Sequence, residues 1–229
     1  PRAKDDTLDE VVARRVAFLT DYQDAAYAGR YAAFVDKVAR AEAPLGSDAL
    51  ARTVARALFR LMAYKDEYEV ARLLTDEAFL GGLSEGFGPD APLTFHLSPP
   101  IPFLGRDPAT GRRRKLALAG RWMLPLFRLL RRGRRLRGTL ADPFRWQQDR
   151  RIERVMIPAF EQDVALALAH LSPATLPAAI DLVRLPFAVR GFGPLKRDSH
   201  ARAEARREAL RARLAPAQPV RVAEPVPAQ

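Results

Sequence analysis

Apolar residues recur at helical spacing through the first 85 positions, and this periodicity constrains the fold more than any other feature of the chain. Thr7-Leu8-Asp9-Glu10 opens the pattern as a capping box, in which the Thr hydroxyl and the Glu carboxylate satisfy each other's orphan backbone donors. Leu8, Val11, Val12, Phe18 and Leu19 follow at helical spacing, and the pattern runs on through Tyr22 and Tyr31 to Ala43. It predicts one long helix with a break near Gly29. Pro44-Leu45-Gly46 ends it, and Ser47 is the expected cap of a second helix burying Leu50, Val54, Leu58 and Leu61. Asp66–Leu74 reads as a continuation of that helix, and Thr75 as the cap of a short helix to Leu83.

At Gly86 the character changes. Leu93-Thr94-Phe95-His96-Leu97 alternates as a half-buried strand does. Ser98-Pro99-Pro100-Ile101-Pro102 cannot be helical, and Asp107-Pro108-Ala109-Thr110-Gly111 is a turn. Arg114–Leu118 then reads as the second strand of a hairpin. Helical signals return from Arg121, with an interruption expected at Pro125. A long helix from Gln147 to Leu171, a cap at Ser172-Pro173, a loop over Arg190-Gly191-Phe192-Gly193-Pro194 and a charged helix from Lys196 to Leu214 complete the pattern. The expected fold is mainly α, a helical domain with a small β-hairpin-like insertion around residues 93–118. In chain order this gives an N-terminal helical part (1–85), an extended or β insertion (86–120), a C-terminal helical part of the same domain (121–214) and a disordered tail (215–229).

Composition narrows the chemistry. With 48% hydrophobic residues in 229, the chain can bury a core. It has no cysteine, which excludes disulfides, thiolate-held iron–sulfur clusters and a Cys nucleophile within this segment. The first residues are charged, unlike a signal peptide, and the apolar stretch Trp122–Phe127 is too short to span a bilayer. A soluble, cytoplasmic protein is expected, and the Pro1 start suggests a piece of a longer polypeptide. The net charge of +11 is concentrated in one place. Residues 106–137 hold twelve Lys or Arg and one acid, Asp107, whereas the other 26 basic and 26 acidic residues cancel. The chain is a neutral protein with one basic stripe.

Catalytic motifs are scarce. The histidines, His96, His170 and His200, have no metal-ligand spacing, so no metal site is expected, and His96 reads as a strand residue rather than a catalyst. Lys65, Asp66, Glu67 and Glu69 on one helical stretch suit an ion-paired surface better than acid–base chemistry. No phosphate loop, dinucleotide fingerprint or nucleophile elbow occurs. The basic stripe remains. Arg112, Arg113, Arg114 and Lys115 sit at the hairpin. Arg131, Arg132, Arg134, Arg135 and Arg137 follow the apolar patch of Trp122, Met123, Leu126, Phe127 and Leu130. Such a stripe is either a solvated face whose Arg stems cover a core helix or a docking face for an anionic membrane or an acidic partner. Aromatics interleaved with the arginines are few, and nucleic acid is not the expected ligand.

Several segments are idiosyncratic. Thr7-Leu-Asp-Glu10 with Arg14-Arg-Val-Ala-Phe-Leu-Thr-Asp-Tyr-Gln-Asp-Ala-Ala-Tyr27 resembles the C-terminal region of the fused bacterial indolepyruvate ferredoxin oxidoreductases. So do Leu61-Met-Ala-Tyr-Lys-Asp-Glu-Tyr-Glu-Val-Ala-Arg72, Phe95-His-Leu-Ser-Pro-Pro100, Arg106-Asp-Pro-Ala-Thr-Gly-Arg112, Leu136-Arg-Gly-Thr139 with Asp142-Pro-Phe144, and Arg190-Gly-Phe-Gly193. The resemblance runs in order from about residue 7 to about residue 214; Pro194 and the dense arginine run after Leu130 depart from it. It implies a parent enzyme that decarboxylates arylpyruvates oxidatively to aryl-acetyl-CoA, with thiamine diphosphate, Mg²⁺ and [4Fe–4S] clusters in upstream domains and ferredoxin as electron acceptor. No cofactor is expected in this segment, which agrees with its lack of cysteine. The parent is expected to be an enzyme and a homo-oligomer, and this segment alone is not expected to catalyse.

The expected role is an accessory helical domain packed on the upstream catalytic domains, with its stripe facing ferredoxin or the phosphates of CoA. No residue is assigned to catalysis. His96, Arg190, Gly191 and Gly193 are the candidates for facing the parent's active site. The alternative is a free-standing basic module that binds nucleic acid or an anionic membrane surface.

Overall fold

The computed structural model describes residues 6–97, 116–145, 148–191 and 194–214. It is mainly α, with one two-stranded antiparallel sheet. The chain groups into two compact units, residues 64–145 and the remainder on either side. The division falls at 63/64, not at the change of character near Gly86, so the helices that precede the hairpin belong with it.

The first unit contains α1 (Leu8–Tyr22), α2 (Ala25–Glu42) and α3 (Ala49–Met62), then α7 (Gln148–Ala169), α8 (Leu176–Val183) and α9 (Pro194–Leu214). The capping box at Thr7 and Glu10 forms as expected. The long first helix breaks at Gln23–Asp24 rather than at Gly29, because the Asp24 carboxylate accepts from the Tyr27 amide and starts a new helix. Gly29 lies inside α2.

α3 is the centre of this unit. Leu50, Ala51, Val54, Ala55, Ala57, Leu58, Leu61 and Met62 are all buried, so helices pack on most of its circumference. Ala51, Ala55 and Ala57 keep parts of its surface low and allow neighbouring elements to approach. Two tyrosines of α2 tie to its carbonyls: the Tyr31 hydroxyl donates to Ala55 at 3.1 Å and the Tyr27 hydroxyl to Met62 at 3.0 Å. Ser47 only reaches the Ala49 amide. The carboxylate of Glu42, fully buried, accepts from the Leu50 and Ala51 amides and caps α3 from the preceding helix. α7 runs through Pro158. Ser172 and Thr175 close a turn before α8, so Pro173 precedes that helix instead of opening it.

The second unit contains α4 (Glu67–Leu74), α5 (Glu77–Phe87), β1 (Thr94–Leu97), β2 (Leu116–Ala119) and α6 (Gly120–Arg132), followed by a 3₁₀ turn over Gly133–Leu136. α4 is not a continuation of α3: the chain opens at 63–66 and Asp66 caps the new helix. Asp76, not Thr75, caps α5. The strands pair with Thr94 opposite Ala119 and Leu97 opposite Leu116. Gly120 abuts Leu93, and a Cβ there would lie 2.8 Å from the Leu93 Cβ, so the step from strand to helix requires glycine. α6 is continuous across Pro125, whose ring is exposed. α4 packs on α6 through Ala71, Met123 and Phe127, with Phe95 edge-on to Phe127 at 5.2 Å.

The expected turn at 107–111, the residues Arg112, Arg113, Arg114 and Lys115, the loop residues Phe192 and Gly193, and the tail 215–229 lie outside the described residues.

Candidate functional site

Five arginines line one groove of the second unit. Arg128, Arg131 and Arg132 come from α6 and Arg134 and Arg135 from the 3₁₀ turn. Thr75, Glu77 and Leu80, at the start of α5, form the opposite wall. The groove holds about 550 Å³, within the size range of small-molecule sites. Local sequence explains the convergence. Arg128, Arg131 and Arg132 are three and four residues apart and share a flank of the helix. Arg131 and Arg132 occupy its last turn, where cations complement the helix dipole. The tight turn from Gly133 then brings Arg134 and Arg135 back beside them.

Arg128, Arg131, Arg132 and Arg135 make no ion pair to a described carboxylate, and Glu77 is the one acid of the lining, so the groove keeps a net positive charge. A concave wall of guanidiniums, each a planar fork of donors, is suited to carboxylate or phosphate oxygens. Arg131, Arg132, Arg134 and Arg135 line this one groove together. Arg128 belongs with them and was not singled out, although its spacing to Arg131 and Arg132 marks the same helix flank.

The next arginine turns inward. Arg137, 7% exposed, donates to both oxygens of Asp66, Nε to Oδ2 at 2.5 Å and an Nη to Oδ1 at 3.1 Å. Its guanidinium lies 5.6 Å from the Tyr68 ring centroid. The Tyr68 hydroxyl donates to Asp142 at 3.2 Å, and Asp142 also accepts from the Gly138 and Phe144 amides. Gly133 lets the turn approach the Tyr68 ring, since a Cβ there would lie 3.2 Å from it. Burial, and then the carboxylate of Asp142, push the Tyr68 phenol well above its ordinary value, so it stays a donor and is unsuited to acid–base work near neutral pH. This network fixes the arginine-bearing turn to the start of α4. The segment around Lys65-Asp66-Glu67-Tyr68 is therefore structural: Glu69 is buried and bidentate with Arg72 at 2.7 and 2.8 Å.

His96 stands exposed on β1, opposite Ala117. Arg190 and Gly191 belong to the first unit. Ser199 of α9 bonds to both the amide and the carbonyl of Arg190, and Gly191 has φ +92° with its Cα packed against Leu195. These contacts close a loop onto a helix and leave the Arg190 side chain exposed. The first unit also has a cavity of about 30 Å³ beside Asp163 and Arg207, room for water only. Burial raises the Asp163 carboxyl despite the pull of Arg207 and Arg211. Among the described residues no group of three or more His, Asp or Glu is placed to hold a metal, and no helix is long and apolar enough to cross a membrane.

A family model described as a family of unknown function (DUF6537) matches residues 8–209. No curated protein and no solved structure matches the chain.

Proposed function

The chain belongs to the DUF6537 family, and we propose that it is an accessory helical domain of a cytoplasmic enzyme resembling indolepyruvate ferredoxin oxidoreductase, with its arginine groove receiving a negatively charged partner of that enzyme. The observation that carries this reading is the groove itself: five guanidiniums converge on one concavity, and four of them have no described carboxylate partner. Thiamine diphosphate, Mg²⁺ and the clusters belong to the upstream domains, where the cofactors carry the hard chemistry. This segment contributes binding and steering. Ferredoxin, an acidic protein, and CoA, with its phosphates, are both anionic participants in that reaction, and a basic groove raises the encounter rate of either.

Two measurements test this. An immunoblot against this segment in the source cell is expected to show a band well over 100 kDa, roughly four times this chain by simple length. A band near 25.5 kDa overturns the accessory-domain reading and favours a free-standing basic module. In the full-length enzyme, reversing Arg131, Arg132, Arg134 and Arg135 to Glu is expected to raise KM for ferredoxin or CoA and to weaken its salt dependence. Unchanged constants for both would remove the groove from the reaction.

A further inference from the structure

The sequence pattern assigned one apolar patch to α6, but the structure splits it between two faces. Met123 and Phe127 are buried against α4. Trp122, Leu126 and Leu129, at i, i+4 and i+7, form a second stripe on the outer face, 72%, 52% and 64% exposed. The guanidinium of Arg121 lies 5.8 Å from the Trp122 indole centroid. On the helical wheel this stripe borders the flank that carries Arg128 and Arg132. Of ten large hydrophobic residues exposed among the described residues, eight lie in 64–145, so outward apolar surface is a property of this unit and not of the whole molecule. Contiguous exposed apolar surface rimmed by charge marks an interaction site, and Trp and Arg are the residues most enriched where binding energy concentrates.

We infer that the outer face of α6 and the adjoining edge of the arginine groove form one docking surface for an acidic, amphipathic protein segment, whose apolar side chains cover Trp122, Leu126 and Leu129 and whose carboxylates pair with Arg128 and Arg132. Charge selects this occupant. A second copy of the chain would set one arginine row against another, at a cost that like charges impose across any interface. A bilayer is flat and cannot fill a concavity of about 550 Å³ with its charged groups. A small phosphorylated ligand would engage the groove and leave the Trp122 stripe uncovered. Only a chain that presents both carboxylates and apolar side chains satisfies both parts at once, in the manner of a helix laid along a groove.

This deepens the partner reading above by naming the partner's chemistry, and its test is separable from the oxidoreductase assignment. The 229-residue chain is titrated with a synthetic helical peptide of about five turns bearing a Leu stripe flanked by Glu, with the same peptide carrying Lys for Glu, with ferredoxin, with CoA and with phosphatidylserine vesicles. The Glu peptide is expected to bind, with an affinity that falls as salt rises. The double variant Trp122→Ala/Leu126→Ala and the double variant Arg128→Glu/Arg132→Glu are each expected to weaken it at least about tenfold, and the Lys peptide is expected not to bind. Absence of Glu-peptide binding, equal binding of the Lys peptide, or loss in only one of the two variants overturns the inference. So does tighter binding of vesicles, or of CoA with no dependence on Trp122. Binding of the Glu peptide without binding of ferredoxin upholds the surface and counts against the oxidoreductase reading alone.

Discussion

The two units solve the problem of stability by different means. Residues 6–63 with 148–214 close around a core of 24 buried apolar residues, centred on α3. Among the described residues of 64–145 the core cluster has three, Ala71, Met123 and Phe127. Burying one large apolar side chain contributes about 1.5–3 kcal/mol, so this described cluster, with Leu74, Phe95, Leu97, Leu118 and Leu130 partly buried around it, contributes less than the larger core of the first unit. The fixed point of the second unit is polar: Asp66, Arg137, Tyr68 and Asp142 link the start of α4 to the turn after α6. The unit with the smaller core is also the one that exposes most of the large apolar side chains. A surface meant for a partner cannot also be spent on the interior, and a buried polar network is a way to hold a precise shape when apolar area is committed outward.

The sharpest way to break this comparison is Arg137→Ala. It leaves Asp66 buried, 3% exposed, without its guanidinium, and removing one partner of a buried pair costs about 3–5 kcal/mol. Amide exchange is expected to quicken throughout 64–145 while α3 stays protected. Equal loss of protection in both units would mean that they unfold as one body and that the contrast in their cores has no thermodynamic consequence.

The counterpart in the first unit is Glu42→Ala. It strands the Leu50 and Ala51 amides at a buried helix start, at a cost of about 1–3 kcal/mol. Glu42→Gln keeps an acceptor oxygen and is expected to lose less. Denaturant midpoints for the three proteins order the effects, and a larger loss in Gln than in Ala would reject the capping role.

Glu42 also shows where sequence reading stops. The helices themselves were legible, because apolar spacing and the Thr7–Glu10 capping box are local signals. Ser47 was the natural cap by proximity, yet the carboxylate that does most of the capping comes from eight residues upstream, a choice that only the angle between α2 and α3 makes. Gly29 was the expected break by propensity, but Asp24 supplied a cap, and the helix tolerated the glycine. The groove was half legible. The run Arg131–Arg135 was visible as charge, whereas nothing local distinguishes Arg137, which turns inward to Asp66, from its neighbours, which do not. Trp122 was assigned with Met123 and Phe127 because a helix of this composition has apolar residues on nearly every side. Which arc faces α4 is decided by packing.

Tyr68→Phe sharpens the comparison by pH. Both Tyr31, in the first unit, and Tyr68, in the second, are raised by burial. The folded state then keeps a proton that an unfolded tyrosine releases near pH 10, so unfolding releases protons and stability falls as pH rises above about 10. Removing the Tyr68 hydroxyl is expected to cost about 1 kcal/mol near neutral pH, since Asp142 keeps its two backbone donors. It is also expected to flatten the alkaline fall in exchange protection across 64–145. Tyr31 remains, so the fall in α2 and α3 is expected to persist. A Phe variant with an unchanged alkaline slope in 64–145 would show that Tyr68 is not held neutral by its surroundings.

The smallest effect on stability is expected where the largest effect on binding lies. Arg132→Glu/Arg135→Glu changes the charge of the second unit by four, against one for Arg137→Ala. Both side chains are exposed and neither is paired with a described carboxylate, so the change in stability is expected to stay within about 0.5 kcal/mol. The sign is informative. A carboxylate placed among crowded guanidiniums relieves their repulsion, whereas one in place of Arg132 opposes the helix dipole in the last turn of α6, so the net change is small and its sign shows which of the two is larger. A gain in stability together with a loss of binding would identify the groove as a site kept at a cost to the fold. A loss of more than about 1 kcal/mol would instead make these arginines part of the same structural network as Arg137, and the separation between the two sets of arginines would fail.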